Sequence, residues 1–261
     1  MTVAVIVDAD ACVPAALAAA LDIRSSPAAA PLLLDPDTIP KLRSEATAME
    51  AAAAIEVSRS ALAEGADELL YLTVDDGFGS VADLPTELPA ALGESAHVAV
   101  ESSEAALMGC GWQAVAAAEA IRDGGDLVAA QHAAAGVRAR VRVLAMLEHP
   151  ELASAAGVAE LALDRQRALV ELSGPEVRIM ARHHKREDAL QQLRDRFAES
   201  VTDGTRAHVA VHHAGAGPGA EALARWIERE LGPARLVVAP LTRHAAARLG
   251  PRMIGIAWYE D

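Results

Sequence analysis

Carboxylate, glycine and hydroxyl groups crowd one short turn, Asp75-Asp76-Gly77-Phe78-Gly79-Ser80, directly after the apolar run Leu69–Val74. In an open parallel sheet, ligands sit beyond the carboxyl ends of strands, where backbone groups are free to bind. Asp75, Asp76, Gly77, Gly79 and Ser80 would stand in that place. The same residues are also ordinary turn formers. A second candidate is His212-His213-Ala214-Gly215-Ala216-Gly217-Pro218-Gly219, between an apolar run and a helical pattern. Glycines there would let backbone amides approach a phosphate at a helix N-terminus. The spacing is not that of a dinucleotide fingerprint, and a tight strand-to-helix connection uses the same residues. The pairs His183-His184 and His212-His213 suggest metal ligands, but neighbours on a strand point to opposite faces. Neither pair can hold one ion as a pair, and no cysteine or carboxylate spacing completes a site.

Asp8-Ala9-Asp10 closes the first apolar run and resembles the opening of haloacid-dehalogenase-type phosphatases. That resemblance implies that one carboxylate attacks phosphorus, the other handles the leaving-group proton, and magnesium binds nearby. Asp75-Asp76 would then supply metal carboxylates. No convincing lysine-bearing phosphate site lies between the two motifs. Without such chemistry, Asp8 caps the next turn and Asp10 is solvated.

The composition narrows the function classes. Of 261 residues, 52% are apolar and only 3% aromatic, so any pocket is expected to be aliphatic and base-stacking platforms are not. A net charge of −14 argues against nucleic acid and anionic lipid surfaces as partners. Cys12 and Cys110 form no disulfide framework or zinc spacing and read as reduced thiols. The first residues, MTVAVIVDADA, lack a basic n-region, and no uncharged apolar run is long enough to span a membrane. A soluble, cytoplasmic protein without metal or cofactor is expected.

The elements that must position these residues alternate in type. Val3–Val7 reads as a strand buried on both faces, Val13–Leu21 as a short helix, and Ile23–Leu34 as a proline-broken stretch with a short strand. Ala46–Glu64 reads as a helix closed by Gly65, followed by the strand Leu69–Val74. Asp83–Gly93 is partly helical in pattern and Ala96–Val100 is a strand. Gly109-Cys110-Gly111 opens a helix over Trp112–Arg122, and Leu127–Leu147 reads as one long helix. Residues 1–150 are thus expected to form an α/β domain, three-layered, parallel-sheeted and Rossmann-like.

Past Pro150 the pattern changes. Arg167–Leu172 and Glu176–Arg182 read as a strand pair, then come helix Arg186–Ser200, strand Ala207–His213, helix Gly219–Leu231, strand Arg235–Leu241 and a last strand, Arg252–Tyr259. Residues 151–261 are expected to form an α+β domain with a mixed sheet. No linker separates the two, so they should be tightly joined.

With these segments in order, the chain resembles the DegV family of fatty-acid-binding proteins nearly end to end. VAVIVDADACVPAALAAALDIRSSP is similar to that family's opening strand, aspartate turn, short helix and second strand. EGADELLYLTVDDGFGS is similar to its strand and serine-rich turn, and SSEAALMGCGWQAVAAA to its glycine-containing helix start. ELSGPEVRIMARHHKREDAL, HVAVHHAGAGPGAEAL and ARLGPRMIGIAWYED are similar to the hairpin, histidine strand and H-x-G-P-G strand of its second domain.

The resemblance implies two α/β domains with an acyl chain between them, a carboxylate held by hydroxyls and a histidine, and a partner kinase that phosphorylates the acyl group. The protein would present the lipid and not catalyse. Carried over residue by residue, the ligand head would lie near Thr47, Asp75, Asp76, Gly79, Ser80 and Arg248. Here Asp75 and Asp76 replace turn serines, and Arg248 replaces the histidine of H-x-G-P-G. The family's G-G-R turn, expected near Glu148–Leu152, is absent. A carboxylate about 4 Å from an ionised aspartate would be repelled by roughly 4 kcal/mol at an effective dielectric of 20. A cationic or uncharged polar head suits such a mouth better. The other readings are the magnesium-dependent phosphatase of Asp8 and Asp10, and a member of the fold that has lost its ligand.

Overall fold

A computed structural model of the chain describes residues 2–26, 39–74, 84–93, 96–155, 166–173 and 177–261. Its strands form two sheets. In the first, β1 (Val3–Val7) and β3 (Glu68–Thr73) lie between β2 (Ile23–Ser25) and β4 (His97–Ser102), all parallel. The second sheet runs β7-β6-β5-β10-β8-β9. Its strands are β5 (Arg142–Leu147), β6 (Arg167–Glu171), β7 (Arg178–His183), β8 (Ala207–His213), β9 (Arg235–Pro240) and β10 (Ile254–Glu260). Only its β8–β9 pair is parallel, so the sheet is mixed, as expected.

Period-two alternation explains the layering. On β1, Val5 and Val7 face the core shared with the second sheet, whereas Ala4 and Ile6 face the opposite side. That opposite side is covered by α2 (Ile39–Ala63) and α3 (Leu84–Leu92), through Ala54, Ala61, Leu84 and Leu88. Between the sheets lie α4 (Met108–Arg122) and α5 (Leu127–Arg138). The outer face of the second sheet packs on α7 (Arg186–Ser200) and α8 (Gly217–Leu231), through Leu193, Phe197, Ala220 and Ile227. One apolar core runs from Val5 and Leu70 through α4 to Val143 and Ala257, so the sheets share a single interior.

Several elements differ from expectation. The stretch 127–147 is not one helix: α5 ends at Arg138 and the chain turns into β5, paired with β6 and β10. A strand N-terminal to residue 150 therefore belongs to the second sheet. Alanine favours the helix here, but Val141 and Val143 are β-branched, and the vacancy between β6 and β10 decides the outcome. Gly109 and Gly111 lie inside α4 and do not precede it. Two short helices, α6 (Pro150–Ala155) and α9 (Arg243–Leu249), were not expected. Gly65 does close α2: its φ is +105°, and its N–H and that of Ala66 reach the Leu62 and Ala61 carbonyls. Among the described residues no helix is long and apolar enough to cross a membrane.

The α4 glycines explain how a helix fits between two sheets. A Cβ on Gly109 would lie 2.7 Å from Val143 Cγ2, and one on Gly111 would lie 3.2 Å from the Ala11 carbonyl oxygen. One glycine therefore admits the second sheet and the other the turn after β1. The fully buried Trp112 crosses the seam, donating from Nε1 to the Ala257 carbonyl on β10 at 3.1 Å.

Candidate functional site

The first strand delivers Asp8 and Asp10 to its carboxyl end, where the chain makes a 3-10 turn over Ala9–Ala11. Asp8 turns into the first sheet. Its Oδ1 accepts from the Tyr71 hydroxyl at 2.7 Å and its Oδ2 from the Val74 N–H at 2.9 Å. Burial outweighs those bonds and raises the carboxyl to about 6.

Asp10 turns towards the second sheet. Its Oδ1 accepts from the Thr242 hydroxyl and its Oδ2 from His244 Nδ1. Both partners follow β9, and Thr242 also caps α9, accepting from the Ala245 N–H at 3.0 Å. Burial alone would raise the Asp10 carboxyl. The bond and charge of His244, the Thr242 hydroxyl and the charge of Arg248 together hold it below its ordinary value. Two carboxylates two residues apart thus have opposite fates.

Beside this latch lies a cleft of about 540 Å³, within the roughly 300–1,000 Å³ usual for small-molecule sites. Val13 and Pro14 wall it from the first sheet's side, and Pro240 and Leu241 from the second. Among the described residues that line it, the side-chain hydroxyls are those of Ser25, Ser26 and Thr242. Ser26 accepts from the Ala9 N–H at 3.3 Å, and the Tyr71 hydroxyl donates to Asp8. The cleft therefore lies between the sheets at a strand's carboxyl end, with both aspartates directly behind its rim.

Of the residues expected at a ligand head, Arg248 is found in the last turn of α9, buried, with its charge acting on Asp10. Asp75, Asp76, Gly79 and Ser80 lie outside the described residues. So does the side chain of Thr47, whose backbone is in α2. The expectation that Asp10 is solvated is corrected: its side chain is 13% exposed and bonded on both oxygens. For nucleophilic chemistry the arrangement is unfavourable, because all four carboxylate oxygens of Asp8 and Asp10 already accept protein donors.

The histidine pairs split as strand geometry requires. His212 is fully buried, taking the Met108 N–H on Nε2 at 3.2 Å and facing the Ala239 carbonyl with Nδ1 at 3.1 Å. Burial lowers it to about 4, so it stays neutral and pins the start of α4 to β8 and β9. His183 meets Gln192 at 2.6 Å. Among the described residues no cluster of three or more histidine, cysteine or acidic groups could hold a metal ion. The glycine loop makes a tight strand-to-helix connection: Gly215 has φ +69°, and a Cβ on Gly219 would press Ile254 Cδ1 at 3.0 Å. Both cysteines are buried free thiols, pushed well up by burial and so inert.

Sequence reasoning missed Thr242, His244, Ser26 and Tyr71. Only Thr242 carried a signal, as a hydroxyl residue preceding a short alanine-rich segment.

No family model matches the chain, and no curated protein sequence matches it either. Solved structures do. A DegV family protein from Thermus thermophilus described by its fatty acid binding superposes with a TM-score of 0.81 at 18% identity, covering 100% of both chains. A DegV family protein from Corynebacterium glutamicum gives 0.78 at 20% identity, over 100% of this chain and 97% of the other. A stearic-acid-binding protein from Eubacterium ventriosum gives 0.70 at 11% identity, over 100% and 98%. The chain has the DegV fold from end to end.

Proposed function

We propose that this DegV-fold chain is a non-catalytic carrier that holds a long-chain fatty acid or another acyl lipid between its two sheets. The observation that carries the reading is the aliphatic, hydroxyl-rimmed cleft at the carboxyl end of β1, walled from both sheets. Each methylene buried there would contribute roughly 0.8 kcal/mol, so a long tail binds without any strong polar anchor. The fatty-acid-binding proteins of the same fold support the ligand class. The occupied carboxylate oxygens of Asp8 and Asp10 support presentation over phosphatase chemistry.

In this reading Thr47, Asp75, Asp76, Gly79 and Ser80 border the head group, and Arg248 neutralises Asp10 from behind. A cytoplasmic location accords with the two free thiols. A kinase acting on the bound acyl group rests on the family resemblance alone. Denaturing extraction of the purified protein followed by lipid mass spectrometry tests the carrier reading. An acyl lipid approaching one per chain is expected. Finding none, together with no uptake of added fatty acids or other acyl lipids, would sink the proposal.

A further inference from the structure

A second groove opens on the outer face of the second sheet, between α7 and α8. Its volume is about 420 Å³ and its floor is Ile254 on β10. Four antiparallel pairings separate β7 from β8, so those strands run the same way, and β9 is parallel to β8. Each helix returns between two strands of one direction, so α7 and α8 run parallel to each other. On α7 the groove is lined by Glu187, Leu190, Gln191 and Arg194, and on α8 by Gly219, Ala222, Leu223 and Trp226. Both sets are the same i, i+3, i+4, i+7 stripe of one helix face.

The two ends of the groove differ. At one end Arg194 lies over the Trp226 ring, 5.3 Å from its centroid. Trp112 and Trp258 are buried, and Trp226 is the one tryptophan left half-buried. At the other end Gly219 leaves a gap, where a Cβ would press Ile254 Cδ1 at 3.0 Å. Glu187, at that same end, is exposed and has no ion pair among the described residues.

Each end complements the other. Consider a two-fold axis crossing both helices midway, between Leu190 and Gln191 and between Ala222 and Leu223. It stacks each helix antiparallel on its own copy. Glu187 then faces Arg194 of the partner subunit, and Gly219 faces Trp226 of the partner subunit. Opposite charges meet, and an indole enters the space that a missing side chain leaves. Arg194 already bonds Asp195, but through Nε and Nη2 to one oxygen, at 3.0 and 2.9 Å. The guanidinium keeps the donors of Nη1 for a second carboxylate.

We propose that this face is a homodimer interface, on which a second copy of the chain docks α7 on α7 and α8 on α8. Self-complementarity about a two-fold axis is what such an interface requires. Trp226 is its main apolar anchor, a role tryptophan commonly takes at interfaces, and the Glu187–Arg194 pairs set the register. The proposal is independent of what the cleft binds.

Sedimentation velocity on the full-length protein, from about 1 to 200 µM, is the test. A concentration-dependent shift from one to two chains per particle is expected. Glu187→Arg and Arg194→Glu each set like charges opposite each other twice per dimer, and each should weaken association about tenfold or more. Combining the two exchanges restores opposite charges and should recover most of that loss. Particles of one chain throughout would overturn the proposal. So would a dimer indifferent to the single exchanges, or one that the combined exchange fails to rescue. Should a charge variant not fold, Gln191→Cys beside the axis gives a second readout. A short bismaleimide should then join two chains through that thiol, because Cys12 and Cys110 are buried. No cross-link where two-chain particles form would equally overturn it.

Discussion

Along the start of α4 the sheets are joined by neutral groups, with one partly exposed ion pair, Glu119 to Arg235 on β9, farther along the helix, whereas at the end of β1 they are joined by a charged group. Gly109, Gly111 and Trp112 make the first seam by close packing, and its buried crossing hydrogen bonds come from an indole and from a backbone N–H to a neutral His212. The second seam is the Asp10 carboxylate, reaching Thr242 and His244 beside the cleft. Dry packing of this kind does not respond to salt or pH, and it fixes how the sheets sit. An ionic latch beside a cleft does respond, because proton or ligand binding changes the free energy of its charges. The difference teaches that one contact is insulated from its surroundings while the other, beside the cleft, is exposed to changes of charge there.

The largest effect should come from breaking the dry seam. Trp112→Ala empties a fully buried indole site and should lower stability by about 3–5 kcal/mol, read from urea unfolding. A loss under 1 kcal/mol would mean that α4 is not the principal joint. His244→Ala leaves Asp10 with Thr242 and the charge of Arg248, and should cost about 2 kcal/mol. That loss should also be more salt-sensitive than the loss from Trp112→Ala.

The pH response separates the two carboxylates. Asp8 has a folded value of about 6 against an ordinary 3.8, so the native state binds the extra proton between those values. Its contribution makes stability fall as pH rises from about 4 to about 6, by at most about 1.4 kcal/mol per pH unit, and then level off. Asp10 has a lowered folded value, so its stabilisation is present above 3.8 and is lost only as pH falls through the folded value. Comparing native chain and Asp8→Asn across pH 4–6 should isolate the first slope; a flat difference would contradict the burial of Asp8. The smallest effect is expected from Ser26→Ala, about 1 kcal/mol, because the Ala9 N–H loses its partner.

The strands and most helices were legible in the sequence because their patterns are local. Val3–Val7, Arg186–Ser200 and Ala207–His213 have the residue bounds that their periodicity suggests. The run from Leu127 to Leu147 was not legible, because the turn at residues 139–141 has neither glycine nor proline and its strand exists only through β6 and β10. The site was half legible. Asp8 and Asp10 stand out as carboxylates after a strand, but Thr242 and His244 are 232 and 234 residues away from Asp10. Spacing cannot report a contact made by folding one sheet against another. The same distance explains why Asp10 read as solvated when its partners are on α9.

The central claim is that an acyl chain occupies the cleft walled by Val13, Pro14, Pro240 and Leu241. A crystal structure of the protein with a terminally brominated hexadecanol, phased on the bromine anomalous signal, tests it most directly. One chain is expected in that cleft, its head at the rim formed by Ser25, Ser26 and Thr242 and its bromine in the aliphatic interior. Bromine bound only outside the cleft, or a cleft left unoccupied at saturating ligand, would contradict it.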